Sequence, residues 1–456
     1  MKVHQYADLW PLVKGGLSFL RYNTFMQPLL RKTVVAILTF EAQMALKRFH
    51  PKIIAVTGSA GKTSTKDAIF ATLSDGRSVR KSEKSYNSEL GVPLTILGLE
   101  SGWGSPWRWL FNMFKGALVV AGVEQYPKWL VLEVGADRPG DIRKIARWLR
   151  PDIAVITSIP DVPVHVEFFD HPLALAREKK YLAEHMKHDG ILVINGDDVH
   201  TKNILKEHVS QAVSFGFEGQ NAFVASDAGI QYENKRPTGM HFYSNHSGTK
   251  IPVSLPGALG KPRIYAALAA LAVAEAAGVP QESAAESLRT MQPPPGRMRI
   301  IEGIKGSLII DDTYNSSPAA ALSALDTLKE IKGFRKKIAV LGDMLELGRF
   351  SKDAHKEVGK KAAKNAHMLV TVGFRARTIA ESALDNGLAE SNVRQYDQGA
   401  SMHAGKELEP IVDKNTLLLI KGSQGMRMEK AVEELMADPA HASELLVRQN
   451  ADWKMR

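Results

Sequence analysis

Cysteine is absent from all 456 residues, so this chain builds no disulfide scaffold, thiolate nucleophile, Cys-ligated zinc site or iron–sulfur cluster. Long apolar runs are also missing. The most regular stretch, residues 33–49, is interrupted by Glu41 and falls short of the ~20 apolar residues a membrane span needs. Aromatics make up only 7%, and no basic block interleaves with them, which argues against a nucleic-acid partner. Residues 1–10 carry no charged stretch followed by an apolar core and cleavage site. No export signal is therefore read, and a cytoplasmic enzyme is expected.

What is present is the balance of a globular protein, with 44% hydrophobic and 24% charged residues, which sets aside disordered and collagen-like classes. The 59 basic and 49 acidic residues leave a net charge of +10. That surplus suits an anionic partner such as a nucleotide, or is simply a solvated lysine excess. At roughly 150 residues per domain, the length allows two to four domains.

The pattern along the chain is mostly strand alternating with helix, which predicts a parallel α/β sheet. Residues 1–50 read as a short helical segment. From 51 to 294 the strand candidates IIAVT, WLVLE, DIAVITS and GILVIN alternate with helical stretches, and residues 205–256 change to short strands of a small antiparallel layer. An Ala-rich helix over 263–279 precedes QPPPG at 292–296, whose prolines form a stiff hinge. A second α/β pattern with SLIIDD, KIAVLGD, MLVTVGF and NTLLLIKGS fills 295–456.

The strongest chemical signal is Gly58-Ser59-Ala60-Gly61-Lys62-Thr63-Ser64, directly after a strand and before a helix. Glycines let backbone N–H groups approach phosphate oxygens, and the helix N-terminus favours negative charge. Lys62 is placed to reach the β- and γ-phosphates and Thr63 to ligate Mg²⁺. A structural turn is the bland alternative, and the combination of strand, Lys-Thr and helix outweighs it. Glu133 ends the strand WLVLE, at the strand end where ligands bind in open α/β sheets; a carboxylate there suits Mg²⁺. His165 and Glu167 lie two apart, so in extended chain they point the same way. Lys179, beside Arg177 and Lys180, would by itself read as part of a solvated basic face.

TGSAGKTSTK, YNSELGVPLT, LEVGADRPGDI, PDIAVITS followed by HVE, the Lys179 helix, INGDD, GRM, DDTYNSSP, LGDMLELG with His355, and KGS occur in one order over about residues 50–430. This series resembles the Mur ligase family, ATP-dependent amide-forming enzymes of peptidoglycan synthesis. Within that family it is most similar to the members that add D-alanyl-D-alanine to a UDP-muramoyl-tripeptide. The resemblance implies a P-loop parallel-sheet domain followed by a C-terminal Rossmann-like α/β domain, acting as a monomer with ATP and Mg²⁺. It implies that Gly58 to Ser64 hold the ATP phosphates, with Thr63 and Glu133 on one Mg²⁺ and His165 near a second. Lys179 occupies the place of a lysine carbamylated by CO₂. Arg297 would meet the phosphates, and Asp312 and Asn315 the nucleoside. Asn87, Ser88, Lys421 and Ser423 would face the UDP-muramoyl-peptide and the incoming D-Ala-D-Ala.

The chain departs from that pattern in places. About 50 residues precede the phosphate loop, where the family has a nucleotide-sugar domain of its own. Pro262, Arg263 and Ala266 replace a His-Asn-x-x-Asn motif, Ser88 and Ser158 stand for asparagines, and Tyr181 stands where a Glu often follows the lysine. The segment 102–122 carries three of the seven tryptophans with Arg108 and Lys115. It reads either as an interfacial helix for a membrane or partner or as a helix packed on the domain, and packing is the expectation. Two other functions compete with the muramoyl-peptide ligase: a related ligase using a different peptide or lipid-linked acceptor, and a non-catalytic P-loop nucleotide-binding module.

Overall fold

The structure is a computed structural model, and it describes residues 28–450 and 453 apart from 84, 85, 124, 164, 209 and 210. The helical reading of residues 1–27 lies outside the described residues. The chain divides into two compact units: residues 1–50 with 93–126, and residues 51–92 with 127–456.

The larger unit holds two sheets. The first is built from β1 (Lys52–Thr57), β2 (Val79–Lys81), β3 (Trp129–Glu133), β4 (Ile153–Ile156), β5 (Ile191–Asn195), β6 (Ala212–Gly216), β7 (Phe223–Glu233), β8 (Arg236–His246) and β9 (Thr249–Pro256). Its order is β2-β3-β1-β4-β5-β6-β7-β8-β9. Strands β2 to β6 and β1 pair in parallel, and their near-continuous apolar runs are what a sheet covered on both faces requires. The antiparallel pairing of β7 to β9 extends this same sheet instead of forming a separate layer. Residues 223–233, with the look of two short strands in sequence, make one strand whose register shifts between Ser226 and Gly229.

The order reverses at β1, with β3 on one side and β4 on the other. A crevice opens at such a switch point, beyond the strand C-termini. The ends of β1, β3 and β4 therefore bring residues 58–61, Glu133 and Thr157–Ser158 together. Behind the sheet, the helix Lys261–Ala276 is buried along most of its length because its alanines let neighbours approach on every side.

The second sheet comprises β10 (Arg299–Glu302), β11 (Leu308–Asp312), β12 (Lys336–Gly342), β13 (Met368–Val372), β14 (Val393–Tyr396) and β15 (Thr416–Lys421). Its order is β10-β11-β15-β12-β13-β14, all parallel except the β10–β11 pair. Asp312 and Lys421 end neighbouring strands in register, so an acid and a base face the same crevice.

In the smaller unit, the helix Pro28–Phe49 buries Val34, Leu38, Ala42 and Ala45, and it packs on the helix Pro106–Ala121. Ser105 caps that second helix by accepting from the Arg108 amide, and Gly122 ends it at φ 79°. Gly116 has no side chain because a Cβ there would collide with the Glu41 carboxylate. One Glu41 oxygen is buried with no hydrogen-bond partner, and burial raises its pKa to about 7. The folded state thus holds this proton more tightly than the unfolded chain, so stability falls as pH rises from about 4.5 to about 7 and levels off above. Glu41→Gln should flatten that fall. Melting curves at pH 5 and pH 8 read it directly, and identical pH slopes in both proteins would contradict this account.

Candidate functional site

The phosphate loop is shaped by what lies beneath it. Gly58 sits at φ 147°, where an added Cβ would run into Thr157 Oγ1, and Gly61 takes φ 83° as the helix begins; glycine tolerates both conditions. The Ser59 amide donates to the Ser158 carbonyl at 2.7 Å, and Thr157 Oγ1 donates to the Ala60 carbonyl at 2.6 Å. Ser158 is in turn held by Asp198 at 3.0 Å. The helix Lys62–Ser74 starts at Gly61 with no side-chain cap. Its first N–H groups are those an anion would satisfy.

Around this loop the charges are arranged for phosphate and metal. Lys62 Nζ donates to the Gly58 carbonyl at 2.8 Å. Burial lowers its pKa, and Arg297 lowers it further, while Glu133 and Asp137 oppose. Thr63 Oγ1 donates to Glu133 Oε2 at 3.0 Å, and Asn87 Nδ2 donates to Glu133 Oε1 at 3.1 Å. Glu133 is 2% exposed. A hydroxyl and a carboxylate oxygen converging beside a phosphate loop are the hard donors Mg²⁺ prefers, so these residues fit that ion. Asn87, expected at the substrate, is drawn to Glu133, and Ser88 Oγ accepts from the Gly91 amide at 3.3 Å.

Lys179, on the helix Pro172–Glu184, is 3% exposed. It is not part of a solvated basic face. Burial, then the nearby Lys62, hold its pKa well below the usual lysine value, with Glu178 and Asp137 opposing. Its neighbour Glu178 accepts from the Gly140 and Arg143 amides at 2.9 and 3.1 Å, capping the helix Asp141–Leu149. That cap fixes the packing of the two helices and so the position of Lys179.

His165 stands in the left-handed region at φ 67°. Its Nδ1 lies 2.7 Å from Glu346 and its Nε2 3.9 Å from Asp137. Glu346 follows the second sheet's β12, so this contact joins the crevices of the two sheets. Glu167 packs against Gly348, and burial followed by Glu346 raises its pKa.

A second bridge comes from Arg297, whose Nη2 donates to Thr63 Oγ1 at 3.3 Å. Its guanidinium lies 3.9 Å from the centre of the Tyr314 ring. The segment carrying it is gripped by β11: Asp311 accepts from the Gly296 amide at 3.0 Å and Asp312 from the Met298 amide at 3.2 Å. Asp311 is fully buried, and burial lifts its pKa to about 6 despite donations from Thr313. Lys421 Nζ lies 2.6 Å from Asp312 and donates to the Asn315 carbonyl at 2.8 Å. Ser423 Oγ accepts from the Leu345 amide at 2.9 Å.

Sequence reasoning missed Asp137, Glu346 and Asp311. The first two lie in loops inside quoted motifs, but only the fold brings them to Lys62, Lys179 and His165. It also assigned no role to His355. This ring accepts the Met344 amide on Nε2 at 3.0 Å while Nδ1 donates to the Ser351 carbonyl at 2.7 Å. Burial lowers its pKa and keeps it neutral, so it braces the loop that carries Glu346. Arg263, at 4% exposure, has no hydrogen-bond partner for any guanidinium nitrogen, and burial lowers its pKa to about 10.

The loop geometry makes one firm demand. Gly58→Ala forces the loop away from Thr157, so nucleotide affinity should fall about 100-fold, roughly 3 kcal/mol, while the melting temperature changes little. Titration with a fluorescent ATP analogue reads the affinity; unchanged binding would show that this loop does not hold phosphate.

The chain matches the Mur ligase middle domain over residues 56–274 and the Mur ligase, glutamate ligase domain over residues 296–424. It is 30% identical over 400 residues to the UDP-N-acetylmuramoyl-tripeptide–D-alanyl-D-alanine ligase of Bacillus subtilis, covering 87% of this chain and 79% of that one. The corresponding Escherichia coli ligase is 26% identical over 394 residues, 84% of this chain and 76% of its own. Among solved structures, MurF from Acinetobacter baumannii superposes with a TM-score of 0.73 at 25% identity, over 89% of this chain and 81% of its own. The MurF ligase from Thermotoga maritima in complex with ADP gives 0.71 at 26% identity, over 88% and 83%. With both domain models matched in sequence order across a shared architecture, this chain belongs to the Mur ligase family.

Proposed function

We propose that this protein is an ATP-dependent amide ligase that joins D-alanyl-D-alanine to a UDP-N-acetylmuramoyl-tripeptide in peptidoglycan precursor synthesis, releasing ADP and phosphate. The substrates follow from the names of relatives at 26–30% identity over most of the chain, and use of ATP from the ADP complex of a similar ligase. One observation carries the ligase reading on this chain's own residues. Arg297, held at the edge of the second sheet, reaches Thr63 on the phosphate loop of the first, so both sheets contribute charge to one phosphate site.

A substrate carboxylate attacks the γ-phosphate, and the two anions repel. Lys62 and the loop amides from Gly58 to Ser64 bear on the phosphates, and Arg297 adds a second cation from the other side. Thr63 and Glu133, with His165 and Lys179 in the same reading, would hold Mg²⁺, which would supply charge neutralisation at phosphate oxygens. Lys179 is suited to carbamylation because burial favours its neutral amine, the form that bonds to CO₂. Forming the new N–C bond releases one proton and turns the neutral amine into an anion.

The acyl phosphate is then attacked by the dipeptide amine, giving the amide and free phosphate. In this reading Asp312 and Asn315 would serve the nucleoside, and Asn87, Ser88, Lys421 and Ser423 the acceptor and the dipeptide. Water would destroy the acyl phosphate, so closing the domain of residues 295–456 over that of 51–294 protects it. The protein works as a monomer in the cytoplasm, where ATP and the nucleotide-linked precursor meet.

Phosphate release from ATP should require both UDP-muramoyl-tripeptide and D-Ala-D-Ala. Lys179→Ala should lower ligation by about two orders of magnitude or more while leaving nucleotide binding near normal. Release indifferent to both substrates would make the chain a nucleotide-binding module. Dependence on another amine or acceptor would reassign the substrate within the family.

A further inference from the structure

The helix Pro106–Ala121 is built inside out. Trp109, Asn112 and Gly116 form its buried side. At 100° per residue the opposite side carries Trp107, Leu110, Phe111, Phe114 and Leu118, with Trp107 80% exposed and Phe114 61% exposed. Outward faces of helices in water-soluble domains are polar, and a continuous aromatic and aliphatic stripe marks a contact surface. The helix packed against it, Pro28–Phe49, adds exposed Ile37, Phe40 and Met44.

The charge on these two helices is one-sided. They carry Arg31, Lys32, Lys47, Arg48, Arg108 and Lys115 against a single acid, Glu41. Arg108 and Lys115 project from the flank of the stripe, about 90° from its centre. The Lys115 ammonium lies 4.8 Å from the Phe111 ring centre, so its alkyl stem covers the apolar stripe while the charge sits at the edge. Aromatics in the middle with cations at the margin match the boundary of an anionic bilayer, where rings enter the headgroup layer and the basic groups meet phosphates. A second copy docked face to face would bring like charges together. No described helix is long and apolar enough to cross a membrane, which leaves a helix lying in the surface.

We propose that the helix Pro106–Ala121, assisted by the exposed side of Pro28–Phe49, docks this protein on anionic lipid membranes by shallow insertion of Trp107, Phe111 and Phe114. This attachment stands apart from the ligase reading and survives if that reading fails.

Vesicle flotation of the full chain tests it, comparing phosphatidylcholine alone with an equal mixture of phosphatidylcholine and phosphatidylglycerol. Binding to the mixture should exceed binding to phosphatidylcholine at least about 10-fold and weaken with salt. Phe111→Asp combined with Phe114→Asp should abolish it, and Arg108→Glu with Lys115→Glu should reduce it to the phosphatidylcholine level. Both Phe rings are exposed, so the melting temperature should hold. Phe114→Ser alone serves if the double variant misfolds, and should lower binding several-fold. Lipids brominated near the headgroup should quench wild-type tryptophan fluorescence more than that of Trp107→Phe. Absence of flotation, or flotation unaffected by the Phe substitutions, overturns the proposal. A dimer in solution that Phe111→Asp and Phe114→Asp dissociate overturns it in favour of a second copy.

Discussion

Bringing one anion against another is the constraint around which this protein is organised. Two unit charges 4 Å apart repel by about 4 kcal/mol at the effective dielectric of a protein surface, so a carboxylate cannot approach a triphosphate unless positive charge is already in place. The first sheet meets that demand at its switch point. The ends of β1, β3 and β4 converge there, and Thr157 and Ser158 hold the glycine loop open from below. The loop amides, Lys62 and the Thr63–Glu133 pair are consequences of that convergence.

Assembling so much charge in one crevice creates a second problem, because Lys62, Lys179 and Arg297 repel one another. Burial lowers the pKa values of both lysines, with Arg297 adding to the fall at Lys62 and Lys62 to the fall at Lys179. Glu133 and Asp137 oppose it at Lys62, and Glu178 and Asp137 at Lys179. Lys179 is 3% exposed, and a bare ammonium there is costly. A neutral amine is less so, and it is the form that the proposed carbamylation requires. Arg297 avoids the problem differently, by stacking on Tyr314 and being delivered from the second sheet, where Asp311 and Asp312 fix the chain on either side of it.

How much of this could be read from the sequence depended on how local the signal was. The loop from Gly58 to Ser64 needs only a strand before it and a helix after it, and the chain shows both. Glu133 was legible for the same reason, as the last residue of an apolar strand. Asp137 and Glu346 were not, because their meaning comes from loops that approach His165 and Lys179 only after both sheets form. The strands over 223–256 were visible as short alternating pieces, but their joining to the parallel sheet rests on pairing partners distant in sequence. The segment 102–122 was legible as a tryptophan-bearing helix, either interfacial or packed on the domain. Which side would be covered was hidden, because Trp109, Asn112 and Gly116, no more apolar than their neighbours, turned out to be the buried ones.

The two units thus present different chemistry: a charged crevice for phosphates in one, and an apolar, cation-edged helix face in the other. The central claim is that the crevice activates an acid by phosphorylating it. Labelling the muramoyl-peptide's reacting carboxylate with ¹⁸O and analysing the released phosphate by mass spectrometry tests this most directly. If an acyl phosphate forms, each phosphate released carries one oxygen from the carboxylate. Phosphate whose new oxygen comes only from water would contradict the account, because the chain would then be hydrolysing ATP without activating the acid.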